Sequence, residues 1–246
     1  MSTCTIVLIL AAFGAAFWAE AAGPELLVAA AADLAGVKEP LAQAFERATG
    51  LKVRFTLGAS GMLARQIEQG APYDVFLSAN EGFVTELAKA GRLAPDSVRV
   101  YAYGRLGLWS RDGSVKSPED LKSARVLHVA IANPAHAPYG AAAREFLERQ
   151  GLWKALEPKL VFGENVRQAL QYAESGNADA VITAWSLLYD RGGVLLPDTG
   201  HAPIRQAGGV VTGRPNEPAA RKFLDFLSGA EGRRVLEGRG FSVAVK

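Results

Sequence analysis

The chain has 246 residues, of which 49% are hydrophobic and 21% are charged, a composition ordinary for a globular protein with one large or two smaller domains. Its formal net charge is only +2 and no run of Lys and Arg stands out, so nothing suggests a nucleic-acid or membrane-binding surface. The single cysteine, Cys4, lies at the extreme N-terminus, which excludes disulfides and cysteine metal sites from the rest of the chain.

Residues 1–22 differ in composition from everything that follows. An apolar run at 6–18 is followed by the small residues of Ala19-Glu20-Ala21-Ala22, a pattern typical of a secretory signal peptide. The run is too short to span a membrane comfortably. No Lys or Arg precedes it, but we predict a signal peptide over residues 1–22 that is cleaved near Ala21 or Ala22.

The next segment alternates strand-like and helix-like patterns. A short apolar run at 26–31 predicts a buried strand, and apolar residues at helical spacing between Leu34 and Phe45 predict a helix. Asp33 is the expected N-cap of this helix, and Pro40 indicates a kink or a late helix start. Alternation at 52–57 predicts the second strand.

A glycine-containing loop, Gly58-Ala59-Ser60-Gly61, precedes a segment of helix-forming residues at 62–68. A helix that starts just after Ser60 directs unpaired amides and the positive end of its dipole forward, where the Ser60 hydroxyl adds another donor. This arrangement is typical of an anion site. The alternative is that Ser60 only caps the helix.

The same strand–helix order continues through the chain and predicts mostly parallel sheets with helices on both faces. In such sheets ligands bind beyond the carboxyl ends of the strands.

A long β-like stretch at 98–109 and another near 204–211 predict two crossings between lobes. We therefore expect lobe 1 at 23–102 and 207–246 and lobe 2 at 103–206, with a cleft that can hinge. Further predicted strands lie at 74–78, 127–132, 159–162 and 178–185, and further helices at 81–91, 141–150, 166–175 and 217–229.

Five segments resemble the periplasmic molybdate-binding proteins of ABC importers. They are VAAAADL at 28–34, GASGMLARQIEQGAPYDVFLSAN at 58–80, NPAHAPYG at 133–140, ENVRQAL at 164–170 and GRGF at 238–241. The resemblance implies the type II periplasmic-binding fold, an α/β architecture of two lobes. It also implies a monomer that binds molybdate or tungstate through neutral hydrogen bonds and delivers the anion to an ABC permease.

Carried over residue by residue, the resemblance makes Ser60 the binding serine, Tyr139 the site of a backbone amide donor, and Val166 the amide donor at the start of the next helix. These three residues would hold the molybdate or tungstate oxyanion, and no cofactor is implied. Thr183 stands near the position of a binding tyrosine in some members. The predicted ligand-binding residues are Ala32, Asp33, Ser60, Gly61, Tyr139, Val166 and Thr183.

Asp33 departs from the family pattern, in which a serine or asparagine often donates to the oxyanion. An ionised carboxylate only accepts hydrogen bonds and repels a dianion at close range. Three interpretations are open. Asp33 turns back to cap its own helix; it is protonated or coordinates the metal centre directly; or the ligand is not a bare tetrahedral oxyanion.

An enzyme and a regulatory effector domain are the competing functional classes. The three histidines, His128, His136 and His201, are scattered, and the sequence has no His-x-x-x-His pair, no GxSxG and no phosphate loop ending in Lys-Ser/Thr. His136 lies in the predicted cleft loop, where a ligand contact is conceivable. A regulator would carry a helix-turn-helix ahead of the first strand, where this chain has only the apolar leader. We therefore predict an exported, non-enzymatic solute-binding protein of the periplasm.

Overall fold

The computed structural model describes residues 25–243, so the predicted signal peptide at 1–22 lies outside the described residues. The strands are β1 (Leu26–Ala31), β2 (Val53–Gly58), β3 (Val75–Ser78), β4 (Arg99–Gly104), β5 (Leu106–Ser110), β6 (Val129–Ala132), β7 (Leu160–Gly163), β8 (Ala180–Ala184), β9 (Val194–Leu195) and β10 (Ile204–Val210). The helices are α1 (Lys38–Thr49), α2 (Ser60–Glu68), α3 (Glu81–Lys89), α4 (Pro138–Arg149), α5 (Trp153–Leu156), α6 (Val166–Ser175), α7 (Trp185–Leu188), α8 (Glu217–Ser228) and α9 (Ala230–Glu237). None of these helices is long and apolar enough to cross a membrane.

The strands form two five-stranded sheets, in the orders β2-β1-β3-β10-β4 and β7-β6-β8-β5-β9. This arrangement confirms the α/β two-lobed fold. Each sheet is mostly parallel, as predicted, with one reversed strand: β10 runs antiparallel to β3 and β4, and β5 runs antiparallel to β8 and β9. Each of these two strands enters its sheet from the side of the other lobe, where the parallel strands end.

The chain passes between the sheets twice. It leaves the first sheet after Gly104 and joins the second at Leu106, and it returns between Leu195 and Ile204. The long β-like stretch expected at 98–109 is therefore two strands separated by Arg105, whose carbonyl accepts a hydrogen bond from the Trp185 amide. The lobe boundaries expected at 102/103 and 206/207 stay predictions.

Helices cover both sheets and bury their apolar faces against them. In the first lobe Phe45 of α1 and Phe223 of α8 meet edge to face, with ring centroids 5.1 Å apart. In the second lobe Phe146 of α4 is buried among strand residues. Fully burying one such side chain is worth roughly 1.5–3 kcal/mol, so each lobe has a rigid core of its own that holds the ends of its strands in place.

Candidate functional site

A small cavity lies between the two sheets, beyond the carboxyl ends of β1, β2, β3 and β7. The first lobe lines it with residues that follow its three parallel strands: Ala31, Ala32, Asp33, Gly58, Ala59, Ser60 and Ala79. The second lobe lines it with residues at the starts of two helices: Ala137, Pro138, Tyr139, Asn165 and Val166. None of these lining residues is Lys or Arg. The cavity lies beyond the carboxyl ends of the strands, which is where open α/β sheets bind ligands.

Three helices begin at this cavity. Ser60 is the first residue of α2, Tyr139 the second of α4 and Val166 the first of α6. Amides in the first turn of a helix have no acceptor within that helix. Within residues 25–243, no other backbone carbonyl accepts from the amides of these three residues. Three helix N-termini with unpaired donors therefore meet at one cavity and favour an anion there.

Ser60 is 1% exposed, and its Oγ accepts a hydrogen bond from the Ala79 amide at 3.0 Å. The N-cap of α2 is Ala59, and Ser60 makes no capping bond, so the alternative that Ser60 only caps the helix is wrong. A hydroxyl has one proton to donate besides its two acceptor positions. Because the Ala79 amide uses an acceptor position, the hydroxyl proton of Ser60 remains available to a ligand.

The start of α6 is held by two side chains. Asn165 is its N-cap, and Oδ1 of Asn165 accepts from the amides of Arg167 and Gln168 at 3.0 and 3.2 Å. Thr183, which is buried in β8, donates its hydroxyl proton to the carbonyl of Val166 at 3.0 Å. Thr183 does not line the cavity. Its hydroxyl is bonded to α6 in this structure, and the ligand contact expected for Thr183 stays a prediction.

The start of α4 brings Tyr139 to the cavity. The helix begins at Pro138, three residues before the predicted start, because proline suits the first helical position, where its missing N–H costs nothing. The Tyr139 hydroxyl crosses to the first lobe and donates to Asp33 Oδ2 at 2.9 Å. Gly104 leaves room for that hydroxyl, since a Cβ at Gly104 would collide with it.

Asp33 is buried, at 1% exposure, in a short 3-10 segment, Ala32–Gly36, and makes no capping hydrogen bond. The interpretation that it caps its own helix is therefore wrong. Its Oδ2 also accepts from Gln206 Nε2 at 2.7 Å, and Gln206 Oε1 accepts from the Tyr101 hydroxyl at 3.2 Å. Burial raises the pKa of Asp33 to about 6, against the opposing effect of Tyr139, Gln206 and, less strongly, the backbone amides of Asp33 and Leu34.

Sequence reasoning did not foresee Gln206 and Tyr101. Gln206 is fully buried in β10 and Tyr101 is buried in β4, so both belong to crossing strands that read as apolar β structure. The available signal was Gln206 itself, an amide side chain inside an otherwise apolar strand. A buried amide requires hydrogen-bond partners, and here it joins Asp33 to Tyr101.

Gly61 contacts the other lobe and does not line the cavity. Its amide donates to the His136 carbonyl at 3.1 Å, across the two lobes. The ligand contact expected for Gly61 stays a prediction. Ser186 Oγ makes a second crossing bond, to the Asp33 carbonyl at 2.8 Å. His136 also lies outside the cavity lining, with Nε2 3.1 Å from the Glu164 carbonyl oxygen. The structure therefore has its lobes closed on each other.

A larger surface hollow also lies between the lobes, near Gly36. Four of its five charged side chains form the ion pairs Arg191–Glu174 and Arg239–Asp190, and the fifth, Arg167, is exposed at the start of α6. These pairs are exposed to solvent, and such pairs stabilise a protein little. We place the functional site at the small cavity, because there the donors converge without acceptors of their own.

Comparisons with known proteins agree with this geometry. Residues 26–242 match the family model of the bacterial extracellular solute-binding proteins. The chain is 36% identical to the molybdate-binding protein ModA of Azotobacter vinelandii, over 94% of this chain and 96% of that protein. It is 35% identical to ModA of Rhodobacter capsulatus, over 90% of this chain and 89% of that protein.

Solved structures show the same relationship. The periplasmic molybdate-binding protein of Azotobacter vinelandii superposes with a TM-score of 0.82, covering 89% of this chain and all of that one, with 30% identity among the aligned residues. The sulfate-binding protein SubI of Mycobacterium tuberculosis superposes with a TM-score of 0.72 at 17% identity, which shows a shared fold only. The chain therefore belongs to the bacterial extracellular solute-binding proteins, in the group of the ModA molybdate-binding proteins.

Proposed function

We propose that this protein captures molybdate or tungstate in the cavity between its lobes and passes the anion to an ABC import permease in the periplasm. The amides of Ser60, Tyr139 and Val166 and the hydroxyl of Ser60 would donate to the oxyanion, with Ala32 and Asp33 completing the wall. The names of the relatives and their coverage of the chain support the ligand. The solute-binding family supports a transport role without catalysis and without a cofactor.

The observation that carries this proposal is the meeting of three helix N-termini at a cavity without cationic side chains. Neutral amide donors and helix dipoles can hold a dianion in a fixed geometry. Closure of the lobes removes water, and electrostatic attraction strengthens as the local dielectric falls. Selectivity would then follow from cavity size, because molybdate and tungstate have longer metal–oxygen bonds than the S–O bonds of sulfate.

The sequence left open a different ligand, because Asp33 replaces a neutral donor. That alternative is not favoured by the relatives, which are named for molybdate over nearly the whole chain. The structure supplies a further reason, since Tyr139 and Gln206 both donate to the Asp33 carboxyl group. The carboxyl group is therefore held by the protein, which supports the amides of Ser60, Tyr139 and Val166 as the donors to the anion.

The test is a thermal titration of the chain from residue 23 onward with molybdate, tungstate, sulfate and phosphate at equal ionic strength. A ligand at one hundred times its Kd stabilises the folded state by about 2.7 kcal/mol, which corresponds to a rise in Tm of roughly 5–10 °C for a chain of this size. We expect this rise with molybdate and tungstate and much less with sulfate and phosphate. The absence of a shift with both molybdate and tungstate would refute the proposed ligand.

A further inference from the structure

Asp33 presents a buried carboxyl group in the wall of a cavity built for an anion. No cation compensates it: among residues 25–243, no ion pair includes Asp33. Arg105, which joins β4 to β5, lies 3.7 Å from Asp198 instead. The charged side chains on the helices and the strand packed against the Asp33 segment are all at least partly exposed: Lys38, Glu39, Glu46 and Arg47 on α1, Arg54 on β2, and Arg167 and Glu174 on α6.

The titratable groups that face Asp33 are phenols. Tyr139 contacts it directly from α4, and Tyr101 reaches it from β4 through Gln206. Burial raises the pKa of both hydroxyls well above their usual value, and the neighbouring Asp33 charge raises them further. Both phenols therefore stay neutral, and α7, packed on the same segment, carries no charged residue. Asp33 is the group in this network that can change its charge near neutral pH.

The two carboxylate oxygens of Asp33 differ in their surroundings. Oδ2 accepts two hydrogen bonds, from the Tyr139 hydroxyl at 2.9 Å and from Gln206 Nε2 at 2.7 Å. These bonds use both of its lone pairs. Oδ1 is buried and has no hydrogen-bond partner among residues 25–243. A proton on this carboxyl group must therefore lie on Oδ1, the oxygen for which the protein supplies no donor.

Building on the proposed function, we propose that Asp33 binds the oxyanion as the neutral acid, with its proton on Oδ1 donated to a ligand oxygen, so that capture of each anion takes up one proton. The proton comes from solvent and returns there on release. An ionised Asp33 would place an unpaired negative oxygen beside a dianion, and two like charges at such a site cannot both be retained. The neutral acid instead supplies the donor that a serine or asparagine would supply at this position.

The raised pKa of Asp33, about 6 in the anion-free protein, sets the range in which proton uptake is visible. Above that pH the free protein is mainly ionised at Asp33, so that binding must bring in a proton. The Kd for molybdate then rises about tenfold for each pH unit above the pKa of free Asp33. Below that pKa Asp33 is already protonated, and the Kd levels off.

The experiment is isothermal titration calorimetry with sodium molybdate near pH 7.5, in Tris and in Hepes, two buffers with different ionisation enthalpies and no oxyanion. The difference in observed heat between the buffers gives the number of protons bound, which we expect to be close to one per anion. Tight binding with no proton uptake would overturn the proposal while leaving the proposed function intact. No binding of molybdate or tungstate between about pH 5.5 and 8.5 would overturn both.

Asp33→Asn provides the matched variant, because its amide donates from nearly the same place and does not titrate. We expect this variant to bind molybdate without proton uptake, with a Kd that stays constant across the same pH range and is lower than that of the unchanged protein near pH 8. If Asp33→Asn kept the pH dependence of the unchanged protein, another group would carry the proton and the proposal would fail.

Two further variants separate Asp33 from its neighbours. Tyr139→Phe keeps the backbone amide but removes a donor to Oδ2, so the pKa of Asp33 should increase and the rise in Kd should begin at a higher pH. Histidine is the side chain type that most readily exchanges a proton between pH 5 and 8. His136, whose carbonyl accepts from the Gly61 amide, is therefore the alternative source of a proton. His136→Gln should leave proton uptake unchanged, and loss of uptake in this variant would contradict the assignment to Asp33.

Discussion

Ser60 has two roles at the cavity. Its backbone amide belongs to the free first turn of α2, and its hydroxyl, anchored by the Ala79 amide, keeps a proton to donate. Ser78 provides a matched comparison, because it is equally buried nearby but its Oγ is occupied with the backbone of Asn80 at 2.8 and 3.0 Å. Variants of the two serines can therefore distinguish the loss of a hydrogen bond to the ligand from a general loss of packing.

We expect Ser60→Ala to weaken molybdate binding by about 1–3 kcal/mol, because the anion loses one hydrogen bond in a site closed to water. Ser78→Ala should lower the Tm of the ligand-free protein but leave the Kd nearly unchanged. Calorimetric titration of both variants measures this difference. Equal Kd values for the unchanged protein and Ser60→Ala would show that the serine hydroxyl does not reach the ligand.

The site depends on how its helices begin. An asparagine N-cap is found both at α6, whose start lies at the cavity, and at α3, whose start does not. Asn165 caps α6 at the cavity, whereas Asn80 caps α3 outside it, where Oδ1 of Asn80 accepts from the Gly82 amide at 2.7 Å. The sequence predicted α6 at 166–175 with this cap, because Asn followed by helix formers is a strong local signal. It did not predict α7 and α9, which are short and lack capping side chains.

Asn165→Ala and Asn80→Ala should each destabilise the protein by about 1 kcal/mol, the usual cost of a lost N-cap. Only Asn165→Ala should also raise the Kd for molybdate, because the amide of Val166 would then lie at the start of a frayed helix. Thermal unfolding and binding titrations of the pair provide the measurement. A similar change of Kd in both variants would mean that general stability, and not the start of α6, controls binding.

At the scale of the whole molecule, the closed arrangement depends on contacts between lobes. Gly61 lies where α2 approaches the loop before α4, and a Cβ at Gly61 would lie 3.0 Å from the His136 carbonyl oxygen and 3.1 Å from Phe83 Cζ. A side chain at position 61 would therefore oppose closure of the lobes at this contact. We expect the ligand-free protein to open at its two connections, where each crossing is a few residues long.

Gly61→Ala should weaken molybdate binding by roughly 1–3 kcal/mol, the typical cost of overpacking, because the contact with the His136 backbone carbonyl forms only when the lobes close. The contact with Phe83, on α3 of the same lobe, involves the far end of a side chain that can shift. The ligand-free Tm should stay the same or rise, since alanine favours a helix over glycine by about 1 kcal/mol. Small-angle scattering with saturating molybdate would show incomplete closure of the variant. An unchanged Kd would show that the contact between Gly61 and His136 does not limit closure.

The amino-acid sequence was enough to predict the alternation of strands and helices, the two crossings, and the helix starts near Ser60 and Val166. These features depend on local signals, namely apolar periodicity, glycine-containing loops and capping residues. The resemblance of five segments identified the family, which the comparisons confirmed.

The contacts of Asp33, Gly61 and Thr183 could not be predicted from the sequence, because they join distant parts of the chain. Asp33 is bonded to Tyr139, 106 positions away, and to Gln206, 173 positions away, and Gly61 meets a carbonyl of the other lobe. Hydrogen bonds between residues so far apart leave no periodic pattern in a sequence, because they depend on how two separately packed lobes are placed against each other. The reversed strands β10 and β5 have the same origin. The direction of each follows from the side on which the chain enters the sheet after it crosses from the other lobe.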